Sequence, residues 1–375
     1  MREVTLSELT YFNLARHHLL ERAPRDRALQ VIDDVLGLNA QGALNYHVSL
    51  WSRVEGLSNG FIGESLESRA LIRCYSVRGT VHVAPVSLYV LVNAALRDHL
   101  VSGFERQLDK SNLMESGGLW RQYAQEVLEA LGDQPSTVSE LVGRLGWRHP
   151  EAKRLMNALV RLLGYRGELC HAASGGPWYV NTENTYVRMD AWLPGQIYVG
   201  DGGEARAQLA ERYLKAYGPA TVSDFRYWTG LSASLAKGAF KAIEGKLIKV
   251  MSQECGKLFL LEEDLDALLG VEPMEMVRLL PAWDALIMGH ADKTRIMDPE
   301  HRKQVFLRLA DVAPTLLIDG RVAGTWSMKK GRGEAWGIKV ESFSWLGELH
   351  SDLLEEEAER LRGFTGFGIE LSAAR

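Results

Sequence analysis

Cysteine is scarce in this chain. Cys74, Cys170 and Cys255 are the only three, and they lack the paired spacing of a zinc site or a disulfide framework. That argues against a disulfide-stapled secreted scaffold and for a reducing, cytoplasmic setting. The histidines do not supply a metal pattern either: His17 and His18 are adjacent, while His47, His82, His149 and His171 stand alone, so no metal is expected. Long apolar runs are missing, and Met1-Arg2-Glu3-Val4-Thr5 opens no signal-peptide core, so no membrane partner is expected. There is no Gly-rich phosphate loop and no serine in a nucleophile elbow, which leaves P-loop, dinucleotide and serine-triad chemistry without support. No cofactor is expected. Low-complexity segments are absent as well.

What is present is apolar content and repetition. At 375 residues and 46% hydrophobic, the chain can fill two to four packed modules. The net charge of −5 argues mildly against a general nucleic-acid coat, but the charge is uneven. Arg144, Arg148, His149, Lys153, Arg154, Arg161 and Arg166 crowd one stretch, and acidic residues gather at Glu355-Glu356-Glu357 and Glu359. Either a solvated helix face or a nucleic-acid face fits such a basic cluster.

The repeat starts at Thr137-Val138-Ser139-Glu140, which returns as Thr221-Val222-Ser223-Asp224. At the same offset Gly146 meets Gly230, Ala152 meets Ala236, Lys153 meets Lys237 and Ala158 meets Ala242. Thr-x-x-Glu and Thr-x-x-Asp are capping boxes, and the glycines mark where a short helix stops. Apolar-periodic runs follow at Ala152 to Leu163 and Leu235 to Ile243. Each copy closes with β-type sequence, Glu168 to His171 then Trp178-Tyr179-Val180, and Leu247 to Val250 then Leu258 to Leu261. Helix, turn, helix, hairpin is the order of a winged helix-turn-helix, a module that sets its second helix in a DNA groove.

The N-terminus reads as a third, divergent copy. Helical periodicity runs through Leu6 to Leu20, Arg25 to Leu36 and Ala43 to Val54, and a hairpin is expected around Arg78-Gly79. Helical segments Leu88 to Leu100 and Leu119 to Leu131, and Glu204 to Tyr217, lead into the second and third copies. Beyond about Val277, Asp319-Gly320 signals a type I′ hairpin, Trp336 to Phe343 a strand and Leu349 to Leu361 a closing helix. The expected architecture is α+β: three tandem winged-helix units over 1–85, 86–195 and 196–270, then a small barrel-like β-domain over 271–375.

Asn39 and Gln41, in Leu36-Gly37-Leu38-Asn39-Ala40-Gln41, lie between helical runs and are two apart, so in an extended segment their amides project the same way. Helix capping by Asn39 with a solvated Gln41 is the plainer alternative.

These residues carry a resemblance. The stretch just quoted, with Leu50-Trp51-Ser52-Arg53 and Val77-Arg78-Gly79-Thr80-Val81-His82, resembles the AlkZ/YcaQ-like DNA glycosylases. So do Tyr213 to Ala220, Asp224 to Gly230, Leu279 to Asp284 and Asp319 to Trp326, in family order across nearly the whole length. The resemblance implies tandem winged-helix modules, a C-terminal β-domain and excision of bulky or cross-linking N-alkylated purines from duplex DNA. The family's catalytic pair is Gln-x-Gln or Gln-x-Asp; here Asn39, one methylene shorter than Gln, holds the first position and Gln41 the second.

By the same resemblance Gln41 orients water, and Asn39 assists with sugar or water contacts. Arg78 and His82 face DNA or the lesion, and Arg53 and Thr80 join them as DNA contacts. Lys293, Arg295, Lys329, Lys330 and Arg332 are the expected phosphate contacts, while Asp284 and Trp283 read as structural. A monomer acting on damaged double-stranded DNA without metal or cofactor is expected. The rival readings are a non-catalytic winged-helix regulator, which would prefer one operator sequence, and an RNA- or protein-binding scaffold, which would show no preference for duplex DNA.

Overall fold

Local signals place the helices of the repeat. Thr137 and Thr221 each accept the backbone N–H three residues on, and Glu140 and Asp224 return a carboxylate to the cap's own N–H, closing both boxes. The first helices, Val138–Arg144 and Val222–Thr229, are followed by Gly146 and Gly230 at φ +66° and +80°, a conformation in which a side chain is strained. Helices Ala152–Arg166 and Ala233–Ala242 come next.

The computed structural model describes residues 1–111, 120–173, 175–195, 201–330 and 336–374. The helix start expected at Leu119, and Arg332, lie outside these residues. In chain order the strands are β1 (Arg2–Glu3), β2 (Leu38–Asn39), β3 (Leu71–Tyr75), β4 (Val81–Pro85), β5 (Ser136–Thr137), β6 (Leu169–His171) and β7 (Thr185–Arg188). They continue as β8 (Leu247–Ser252), β9 (Gly256–Leu261), β10 (Val277–Leu280), β11 (Thr315–Ile318), β12 (Arg321–Lys330), β13 (Trp336–Ser342) and β14 (Ile369–Ala374). Together with the helices they make a mixed α/β fold built on three sheets.

The first sheet runs β2-β4-β3-β6-β7-β5 and is antiparallel throughout. It joins the hairpin turning at Arg78-Gly79 to the hairpin of the first repeat copy through the single register pair Arg73 and His171. The return strand of that second hairpin is Thr185–Arg188, not the expected Trp178-Tyr179-Val180. Gly175-Gly176-Pro177 takes the chain out of the sheet, and Trp178 stacks on Phe367 near the C-terminus (6.1 Å between rings). The second sheet pairs β8 antiparallel with β9 and parallel with β1, so the first residues of the chain complete the last repeat copy. The helix Leu6–Arg16 follows them, packing on helices Gly202–Tyr217 and Leu265–Leu269.

The third sheet is β10-β11-β12-β13-β14, with β14 parallel to β13 and the rest antiparallel. Asp319 and Gly320 both have positive φ (+47° and +81°) between the paired Ile318 and Arg321, as a type I′ turn requires. Helix Glu348–Thr365 packs on both β10 and β14, which curls the open sheet into a half-barrel. Its apolar face shares one core with the segment preceding β3: Val31, Ile32, Leu38, Val48 and Leu50 pack with Val277, Leu316, Ile338 and Leu361. Burying each such side chain is worth ~1.5–3 kcal/mol, so the segment carrying Asn39 is fixed to the half-barrel by apolar contact.

Candidate active site

Strand β2 brings Asn39 to the edge of the six-stranded sheet, where Leu38 pairs Val83 and Asn39 pairs His82. The Ala40 N–H donates to the Val81 carbonyl at 2.8 Å, and the chain then leaves the sheet. The side chain of Asn39 decides how it leaves. Its Oδ1 accepts the Gln41 backbone N–H at 3.1 Å, a turn that Asn favours, and its Nδ2–H donates to Gln41 Oε1 at 3.0 Å. Gly42 follows, with no side chain to cap the helix Ala43–Trp51. Asn181, from the β6–β7 connection, supplies that cap, its Oδ1 accepting the Ala43 N–H at 2.7 Å. Residues 39–43 are thus held by the sheet, by their own amides and by a neighbouring module.

Asn39 is half-buried and lines a small recess with Leu36, Gly37, Arg78, His82, Tyr217, Trp228, Trp283, Ala285 and Met288. Gln41 is exposed beside it. The recess holds ≈ 10 Å³, about the ~10–15 Å³ that one water needs. Eight non-glycine residues among those described have φ in the left-handed region, and three of them, Leu36, Arg78 and Trp283, line this recess. Such conformations cost ~1–3 kcal/mol each and persist where surrounding structure enforces them, commonly at functional sites.

Among the described residues no carboxylate lines the recess. His82 is buried and its Nδ1 lies 3.1 Å from the Thr80 carbonyl, which only accepts, so Nδ1 carries the hydrogen and Nε2 is an acceptor. Burial, with the Arg78 charge adding to it, pushes the imidazole pKa down to about 4, so His82 is neutral at pH 7. The Arg78 guanidinium donates to the Trp228 carbonyl at 3.0 Å and lies over the Tyr227 ring, and burial lowers its pKa too. The recess therefore offers fixed dipoles and a neutral imidazole, with its cation tied to a carbonyl and a ring face.

Three expected DNA contacts are corrected by burial. Arg53 is fully buried, its guanidinium forked onto Asp284 (Nη1–Oδ2 2.8 Å, Nη2–Oδ1 2.7 Å) with Ser49 and Ser52 around it. Lys293 is 4% exposed, and Nζ donates to the Ile287 carbonyl at 2.7 Å and to that of His290, between the Tyr227 and Phe306 rings. Arg295 is 3% exposed and donates to Asn13 Oδ1 and the Pro219 carbonyl. None of the three has surface left for a phosphate.

Thr80 donates to the Val77 carbonyl and shapes the hairpin turn beneath Arg78. Lys329 and Lys330 are exposed at the end of β12, facing Gly337 and Trp336 across the ladder. Asp284 is structural as expected, and it also accepts the Leu286 N–H, starting a short helix. Trp283 does more than the sequence suggested, since it lines the recess while its indole N–H donates to the Ala310 carbonyl. Asn181 was not legible at all, because it caps a helix 138 positions upstream. Asp298, Glu300 and His301 form a possible metal-ligand group among the described residues; none lines the recess, and Asp298 is paired with Arg321.

A curated "Interstrand DNA cross-link repair glycosylase" from Streptomyces sahachiroi is 26% identical over 336 residues, covering 84% of this chain and 85% of that protein. The solved structure of Streptomyces sahachiroi DNA glycosylase AlkZ shares the fold with a TM-score of 0.84 at 21% identity, covering 99% of this chain and 100% of that one. The family model described as DNA glycosylase AlkZ-like matches residues 32–364, a span that holds Asn39, Gln41 and the whole recess. The chain belongs to the AlkZ-like DNA glycosylase family.

Proposed function

We propose that this protein hydrolyses the N-glycosidic bond of N-alkylated purines in duplex DNA, N7-alkylguanine or N3-alkyladenine, with bulky and cross-linking adducts among its substrates. The observation that carries the reading is the mutual hydrogen bonding of Asn39 and Gln41 at a recess without carboxylates. A purine alkylated at N7 or N3 is already cationic, so it leaves without a strong acid. What remains is to hold a water and stabilise an oxocarbenium-like sugar, which oriented amide dipoles can do. Gln41 orients the water; Asn39 holds Gln41 and presents its own carbonyl oxygen, whose second lone pair is free to accept.

The recess is small, which supports attack at the sugar with the adduct left outside it. The product is an intact abasic strand. Among the described residues no lysine lines the recess to form a Schiff base. The helix–helix–hairpin units act as winged helices around the duplex, with Lys329 and Lys330 reaching phosphates from the half-barrel and Arg332 a further phosphate contact expected from the sequence. The test is release of free N7-alkylguanine from an alkylated duplex, followed by mass spectrometry. No release by wild type, or equal release by Gln41→Ala, overturns the proposal.

A further inference from the structure

A second, larger cavity opens one helical turn beyond Gln41. The helix Ala43–Trp51, whose first N–H is capped by Asn181, carries Tyr46 and His47 three and four residues after Ala43. That spacing puts both on the face of Ala43, ~5.4 Å further along the axis. With the helix Phe61–Glu67 and the β6–β7 connection that supplies Asn181, they enclose ≈ 380 Å³, within the ~300–1,000 Å³ of small-ligand sites. The cavity shares no lining residue with the recess.

Its walls say what it accepts. The His47 ring lies between those of Tyr46 and Trp178, with centres 4.7 and 5.2 Å away. Trp178 is backed by Phe364 and Phe367, so this aromatic wall is fixed. His47 is buried, no hydrogen bond to a described residue holds its ring, and burial alone pushes its pKa down to about 3. A neutral imidazole therefore faces the cavity, with one donor and one acceptor to offer. Much of the remaining lining is glycine. Gly63 stands inside the helix Phe61–Glu67, although only proline is a poorer helix former. A Cβ at Gly63 or at Gly175 would meet no described atom within 4 Å, so the missing side chains leave the space open. Gly175 and Gly176 are exposed and give the cavity its mouth. Glu67 is the one charged residue among the described lining, which disfavours a phosphate there.

We propose that this cavity is the subsite for the pendant part of a bulky adduct, an uncharged planar aromatic group tethered to the damaged purine. Tyr46, His47 and Trp178 supply ring faces and edges for it, and the glycines let the backbone approach its flat side. The helix Ala43–Trp51 starts two residues after Gln41, so a group seated against its first turn leaves the sugar of the same nucleotide beside the two amides. The adduct is then gripped away from the reacting bond, and that binding energy orients the sugar. The inference rests on the reading of Asn39 and Gln41 as a glycosylase site for bulky adducts.

The experiment uses the full chain and two pairs of duplexes. In the first pair 7-deazaguanine carries a methyl or a 3-phenylpropyl group at position 7; carbon replaces N7, so the base is uncharged and stays attached. Wild type is expected to bind the phenylpropyl duplex about tenfold tighter than the methyl duplex in anisotropy titrations. Gly63→Leu fills the cavity from a helix position that tolerates leucine, and should bind the two duplexes alike without a lower thermal unfolding midpoint. Gly63→Ala adds only a methyl group and should keep the preference. In the second pair the same groups stand on N7 of guanine, and the excision-rate ratio of phenylpropyl to methyl should fall about tenfold in Gly63→Leu. Equal binding of the first pair by wild type, or a preference kept by Gly63→Leu, overturns the subsite. A binding preference with neither base released supports the subsite and overturns the glycosylase reading instead.

Discussion

Asn39 and Gln41 form one unit in this structure, and that makes a quantitative prediction. Asn39→Ala removes two hydrogen bonds, both to residue 41: one fixes its backbone N–H and one its carboxamide. Each neutral bond of this kind contributes ~0.5–1.5 kcal/mol, so together they hold Gln41 with ~1–3 kcal/mol. If that energy is spent on orientation in the transition state, kcat/KM falls about 5- to 150-fold. Gln41→Ala removes the dipole itself and is expected to lower the rate by about 10²–10³-fold. Because Asn39 acts mainly through Gln41, the double variant should be little slower than Gln41→Ala alone. Asn39→Gln should also be slower than wild type, since the longer amide does not close the same turn and its extra methylene must enter a recess of ≈ 10 Å³. Single-turnover release of N7-alkylguanine measures all four variants. Additive losses in the double variant, or full activity in Asn39→Ala, refute the coupling.

Four further outcomes follow from the same geometry. Asp284→Asn leaves the buried Arg53 charge uncompensated and should destabilise the fold by about 3–5 kcal/mol in urea unfolding, whereas a matched apolar pair at both positions should recover much of the loss. Asn181→Ala removes the cap of the helix after Gln41; a loss of ~0.5–2 kcal/mol, together with slower excision, is expected from unfolding and single-turnover assays. Lys293 is pushed down to about 7 by burial, with Arg302, Arg78 and Arg295 adding and Asp224 opposing. The unfolded chain binds this proton more tightly, so stability should rise with pH from about 7 towards the ordinary lysine value, and Lys293→Met should flatten that rise in pH-dependent unfolding. Alanine at both Lys329 and Lys330 should reduce the slope of log affinity against log salt by about 2 in binding titrations, with little change in sequence preference.

The signals that were readable in the sequence act over a few residues. The Thr137 and Thr221 boxes, the stops at Gly146 and Gly230, and the Asp319-Gly320 turn each depend on groups within one helical turn or one hairpin. Asn39 and Gln41 belong to the same class, because their bonds span two residues. A basic residue in the sequence, by contrast, carries no mark of where it will lie. Arg53 and Lys329 read alike, yet one is forked onto Asp284 in the core and the other is exposed on a strand end.

The sequence by itself determined the helix starts at Thr137 and Thr221, the turns at Gly146, Gly230 and Asp319-Gly320, and the family to which the chain belongs. Only the tertiary structure decided that β1 completes the last module, that Asn181 caps the helix after Gln41, and that Trp283 lines the recess with Asn39. The physical reason is distance along the chain. A cap or turn is settled by the dihedrals and hydrogen bonds of neighbours, but these contacts form only once apolar burial has brought segments more than a hundred residues apart into one core.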